Sequence, residues 1–190
     1  MNITKIAILP IILLSLLVMG GCATMGPETT ITGFQKVSSF ENKKVALSLP
    51  VVVEKDMETK KNPDATEREV ANEMYNELKK NLANKGLLAD RDSAPFKLEL
   101  LVHYTNKYNI FGVGEYFGSR ILVERGMGGQ ILVVRGILKN RVGGTIVQID
   151  SIDNTAIVYD YHRLTTRMSA ELANQIEKIL KEGVSVGKSP

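Results

Sequence analysis

Tryptophan is absent from this 190-residue chain, and cysteine and histidine nearly so, with one and two copies. A single cysteine closes no internal disulfide, so the fold must rest on its core. Neither His103 nor His162 has a Cys, His or carboxylate at metal-ligand spacing, so both read as structural histidines and no metal or cofactor is expected. An excess of one charge is missing too: 24 Lys and Arg face 21 Asp and Glu. A dedicated nucleic-acid binder would carry a basic stripe, and none is present. No Gly-Lys-Ser/Thr follows the glycines of GVGEYFG (112–118), whose spacing also misses the dinucleotide pattern, so no nucleotide is expected. No Gly-x-Ser-x-Gly elbow exists, and Asp150 with Asp153 offers too few oxygens for a calcium loop. These absences make an enzyme the least favoured class.

Long apolar runs are also scarce. The one that stands out is Ile6–Met19, broken only by Pro10 and Ser15, behind a single cation, Lys5. It is shorter than the about 20 residues that span a bilayer, and its layout is that of a secretory signal. Gly20, Gly21 and Cys22 follow it. Met19-Gly-Gly-Cys resembles the bacterial lipobox, although leucine is the usual residue where Met19 stands. The resemblance implies cleavage between Gly21 and Cys22 and acylation of the Cys22 thiol. The bilayer, reached through this acyl anchor, is then the first expected partner. Ala23, not aspartate, follows the cysteine; in enteric-type lipoproteins this implies the outer membrane, with the domain facing the periplasm. Without residues 1–21 the chain keeps 23 cations and 21 anions. It is then long enough for one domain that needs no disulfide.

Residues 22–32 read as a tether, 33–183 as a single α+β domain and 184–190 as a flexible tail. Phe34, Val37 and Phe40 are expected to tuck onto the core. Alternation over 43–53 predicts a strand, with Pro50 marking an edge or a break. Thr66 and Glu69 form a capping box ahead of the stripe Val70, Met74, Leu78 and Leu82, and Gly86 supplies the helix stop. Strands are predicted at 96–105 and 130–139, with a turn at Val142-Gly143-Gly144. Two more are predicted at 145–150 and 156–161, joined by 151–155. Ser169 is read as the N-cap of a last helix with the stripe Leu172, Ile176, Ile179 and Leu180. The order β-α-β-β-β-β-α predicts a mixed, mostly antiparallel sheet of about five strands with two helices packed on one face.

Glycines and aromatics concentrate in one region. Nine of sixteen glycines lie within 112–144, and five of eleven aromatics are Tyr104, Tyr108, Phe111, Tyr116 and Phe117. Lys107, Arg120, Arg125, Arg135, Lys139 and Arg141 fall in the same stretch. Aromatic and arginine side chains anchor interfaces, so Tyr108, Phe111, Tyr116, Phe117 and Arg120 form a candidate partner surface.

The lipobox, KKVALSLP, ANEMYNELKKNLANKGL, FKLELLVHYT, GSRILVERGMGG and the segment ending QIDSIDNT resemble, in that order, a family of bacterial envelope lipoproteins over about residues 33–183. The family's domain is similar to the TolB N-terminal domain and to curli-secretion and penicillin-binding-protein-activator lipoproteins. Arg125–Gln130 matches the family's Gly-rich approach to a strand. Gly143-Gly144 interrupts what is usually one long strand, and Asp153-Asn154-Thr155 lacks the glycine of the family's turn. The resemblance implies binding and assembly work with no catalytic residues. The expected function is a membrane-anchored assembly, regulatory or accessory factor that binds another envelope protein or itself. The alternatives are a self-assembling export-channel subunit, with residues 119–140 as a membrane-entering hairpin, and a small-ligand or lipid carrier.

Overall fold

The computed structural model describes residues 26–37, 40, 42–52, 66–105, 112–116, 119–123, 130–155, 161–185 and 187–188, with 112–116 and 119–123 described as backbone. The elements are β1 (Glu28–Gly33), β2 (Val45–Leu47), β3 (Val51–Val52), α1 (Glu67–Asn84), β4 (Phe96–Thr105), β5 (Gly112–Tyr116), β6 (Ser119–Val123), β7 (Gln130–Asn140), β8 (Thr145–Thr155), α2 (Tyr161–Glu182) and β9 (Gly187–Lys188).

The α+β class is as expected, with a sheet larger than the five strands predicted. Its order is β2-β4-β7-β8-β1-β9, and β3 continues the β2 position beside β4. β2 and β3 pair with β4 in parallel, and the remaining pairs of this sheet are antiparallel. β5 and β6 form a separate two-stranded sheet.

Register shows which residues face the helices. Leu98, Leu100, Val102 and Tyr104 of β4 stand opposite Leu138, Gly136, Val134 and Leu132 of β7. Together with Val147 and Ile149 of β8 they share one core with Val70, Met74, Leu78 and Leu82 of α1 and Leu164, Met168, Leu172 and Ile176 of α2. Both helices therefore pack on one face, as the two apolar stripes require. Gly136 lets α2 come close: a Cβ there would sit 3.2 Å from Leu172 Cδ1. On the other face, Arg135 and Asp150 are opposite one another in β7 and β8 and form a two-bonded ion pair, Nε–Oδ1 2.6 Å and Nη2–Oδ2 3.0 Å.

The α1 start is as read. Glu69 N donates to Thr66 Oγ1 (3.2 Å) and Thr66 N donates to Glu69 Oε2 (2.7 Å), closing the capping box. The backbone bond from Thr66 holds the Glu69 carboxyl below its ordinary pKa. Gly86 takes φ 67°, the left-handed conformation that costs glycine little, and Leu87 N donates back to Leu82 O. Pairs step along both helices in the same sense, Glu73 with Thr165, Asn81 with Ser169 and Lys85 with Glu177, so α1 and α2 run parallel.

Glu177 takes Lys181 at 2.6 Å and Lys85 at 2.6 Å. The Lys181 bond, then the Lys85 bond, holds its pKa down to about 2. A carboxyl lowered on folding adds stability above its unfolded pKa and loses it as pH falls through the folded one. The α1–α2 clamp is therefore present above about pH 4.5 and gone below about pH 2. An NMR carboxyl titration should place Glu177 well below the ordinary glutamate range, and Lys181→Met should move it upward.

Several sequence expectations are corrected. The stretch read as tether contributes β1, because Thr29 and Ile31 continue the helix-side rows of Ser151 and Ile149. Thr29 Oγ1 and Ser151 Oγ are 3.0 Å apart. The strand read over 43–53 breaks at Ser48–Pro50 into β2 and β3, where Pro50 has no amide to donate. Residues 145–155 are one strand, with Ser151–Thr155 inside it. The strand predicted at 156–161 is not present at its end, since Tyr161 opens α2; residues 156–160 lie outside the described ones. Ser169 is buried inside α2, bonded to Thr166 O and Asn81, and is not its N-cap. The stretch read as tail is partly paired: Val184 bridges Val37, and Gly187 and Lys188 pair with Gly33 and Thr32. Phe40 is buried and Val37 packs against the core as expected, but Phe34 is 51% exposed.

Candidate functional site

Register alone brings several chain ends to one end of the sheet. β1 enters there, with Glu28 opposite Ile152. β4 leaves there, with Thr105 opposite Ile131, and β7 starts there, with Gln130 opposite Thr155. The stretch 106–129, which contains the β5–β6 hairpin, thus departs and returns at the end where the N-terminal segment joins the domain. Cys22 precedes Glu28 by six residues, at most about 20 Å of extended chain.

Tyr108, Phe111, Phe117, Gly21 and Cys22 lie outside the described residues. Tyr116 and Arg120 fall on β5 and β6, and their register separates them. Tyr116 pairs with Ser119, and Arg120 pairs with Glu115 one step further on. Five residues per strand is also about half of what a spanning β-strand needs. The span 119–140 is not one hairpin, because 119–123 pairs with β5 while 130–140 is an inner strand of the main sheet.

The cations grouped by sequence with this region disperse. Arg135 enters the ion pair with Asp150, while Lys139 and Arg141 lie at the opposite end of the sheet. Lys107 and Arg125 are outside the described residues.

Beneath the hairpin end the helix–sheet interface is polar. Asp153, buried on β8, pairs with Arg167 of α2 at 2.8 Å. Tyr104 and Tyr161 meet edge to face at 6.5 Å. Burial, then the charges of Glu73 and Glu69, pushes the Tyr161 phenol up. Gln130 is fully buried, and neither atom of its amide has a hydrogen bond among the described residues.

Each histidine sits beside a carboxylate of α1. His162 Nδ1 is 2.6 Å from Glu73 Oε1, which also accepts from Thr165 Oγ1 at 2.9 Å. His103 is buried, 3.7 Å from Glu67. Among the described residues no three His, Cys, Asp or Glu gather to hold a metal ion, and no helix is long and apolar enough to cross a membrane.

No family model and no curated protein matches the chain. Solved structures similar to it include a PelC dodecamer from Paraburkholderia phytofirmans, 13% identical, with TM-score 0.48 over 79% of this chain and 98% of that one. A single-substitution variant of that dodecamer is 12% identical, with TM-score 0.49 over the same shares. A PDZ domain protein from Parabacteroides distasonis is 11% identical, with TM-score 0.42 over 93% of this chain and 41% of that one.

Proposed function

We propose that this chain is a lipid-anchored, non-enzymatic factor of the bacterial envelope, held at the outer membrane by Cys22, that binds another envelope component through its β5–β6 hairpin. The observation that carries the reading is the placement of the hairpin's two connections at the sheet end where β1 enters. With an acyl group on Cys22 the hairpin's base would lie within a short chain's reach of the membrane surface. A component in or on that membrane would meet the hairpin first.

The test is crosslinking in living cells followed by mass spectrometry, using a C-terminally tagged copy. One dominant envelope partner is expected, lost when Tyr116 and Phe117 are both changed to Ser. Unchanged capture would remove the hairpin from the account. Cys22→Ala should leave the protein unprocessed or free it from the membrane fraction. Normal processing and retention of that variant would sink the anchor.

A further inference from the structure

The opposite end of the sheet carries a second feature, which the hairpin does not explain. There the β7–β8 turn, the start of β4 and the segment ahead of it enclose an open groove of about 410 Å³. Four cations line it, Arg91, Lys97, Lys139 and Arg141, against one carboxylate, Glu99. Strand pairing gathers them: Lys97 and Lys139 are opposite one another in β4 and β7, and Glu99 lies one alternation further along the same face.

The acceptors of this lining are already engaged. Glu99 takes Lys97 on one oxygen at 3.0 Å and Lys139 on the other at 2.6 Å. The Lys139 bond is the main cause of its lowered pKa. Asn140, also in the lining, accepts from Gly144 N on its Oδ1 at 2.8 Å, which leaves Nδ2 as its spare group, a donor. The two arginines are less committed. Arg141 Nη2 reaches only the Asp92 carbonyl, at 3.5 Å, and Arg91 has no hydrogen bond or ion pair among the described residues. That long contact sets the Arg141 guanidinium against the turn that carries Arg91. Asp90 and Asp92 lie on this turn, exposed and outside the lining; counting them, four cations face three carboxylates.

A ligand that suits this lining supplies acceptors and negative charge. Ala46 and Ala94 beneath the groove are 4% and 5% exposed, so they offer no apolar floor, and recognition falls to charge and hydrogen bonds. That favours a compact anion over a ring that needs a face to stack on. The lining carries a charge of +3, four cations less Glu99. A carboxylate brings one charge and two oxygens. A phosphate monoester brings a charge of about −1.5 to −2 and three strong acceptor oxygens. The larger set is what two guanidinium forks and an amide donor can use. Such monoesters occur on lipid headgroups and on soluble molecules. Seven residues of β8, from Ile152 beside the β1 entry to Thr145, place the groove about 20 Å from that entry, so its position does not choose between the two sources.

We infer that this groove binds a phosphate monoester, with Arg91 and Arg141 taking its terminal oxygens. The test is calorimetric titration of the full-length protein, solubilised in a neutral detergent, with glycerol 3-phosphate and with dihexanoyl phosphatidic acid at matched ionic strength. Binding is expected, weakened by added sodium chloride and weakened about tenfold by each of Arg91→Ser and Arg141→Ser. Both arginines are exposed, so the melting temperature of the variants should not move, and their loss of affinity then reports the site. Affinity for glycerol 3-phosphate equal to or above that for the lipid assigns the site to soluble phosphates. Tighter binding of the lipid, lost in the serine variants, assigns it to headgroups. Either result supports the inference. Absence of binding by both probes, equal affinity for the carboxylate glycerate, or unchanged affinity in either serine variant would overturn it. None of these outcomes depends on Cys22 or the hairpin, so failure here leaves the envelope-factor reading standing.

Discussion

Asp150→Ala is expected to lower the unfolding free energy by about 3 kcal/mol, measured by urea denaturation. Asp150 and Arg135 are side by side across β7 and β8, with side chains only 13% and 9% exposed. Removing the carboxylate leaves a guanidinium desolvated and short of its strongest acceptor, which costs about 3–5 kcal/mol in buried pairs. Arg135 has further contacts, which puts the loss at the lower end. Gln148 Nε2, which donates to Asp150 Oδ2 at 2.7 Å, loses its acceptor as well. The double change Arg135→Met with Asp150→Leu should recover most of the loss, because apolar groups of similar size need no solvation. A single-variant loss under about 1 kcal/mol would mean that water reaches Arg135 and compensates it.

Leu172→Ala is the second large effect, expected in the upper half of the about 2–5 kcal/mol range for buried leucine. Leu172 is fully buried, and Leu98 and Gly136 lie beneath it on the sheet. The spread in such losses comes from how far the surroundings collapse into the void. Gly136 has no side chain to move into it, and Leu98 is already fixed by its place in β4. The cavity therefore persists. A Cβ at Gly136 would stand 3.2 Å from Leu172 Cδ1, so Gly136→Ala strains the native protein. In the Leu172→Ala background the same methyl fills space. The two changes should be non-additive, with the double variant more stable than the sum of the single losses implies. Additive losses would show that α2 shifts to close the gap.

Sequence and structure agree where the signal is local. The α1 stripe, its Thr66–Glu69 box and the Gly86 stop are each written within a few residues, and each stands where the pattern put it. Ser169 has the side chain of an N-cap, but α2 begins at Tyr161, and Thr165 and Ser169 turn inward to bond Glu73 and Asn81. Those bonds come from another helix and leave no trace nearby in the chain. β1 leaves little local signal, because ETTITG has only one strongly apolar residue; Ile31 and Thr29 gain their meaning from Ile149 and Ser151 across the strand. The groove cations were visible only as scattered charges, although the alternation of Lys97 and Glu99 does mark a common face.

The chain by itself determined its class, its helices and its expected point of attachment. Helical periodicity, caps and the residues around Cys22 are short-range properties, fixed by neighbours within a turn or two. Tertiary structure decided what lies next to what. Antiparallel register joined β1 to β8 and set the end of β4 and the start of β7 at the entry end. The same register parted Tyr116 from Arg120 by a single step and gathered Lys97 with Lys139. A strand's side chains alternate faces, so pairing across dozens of residues, which no local pattern encodes, decides which charges and rings become neighbours.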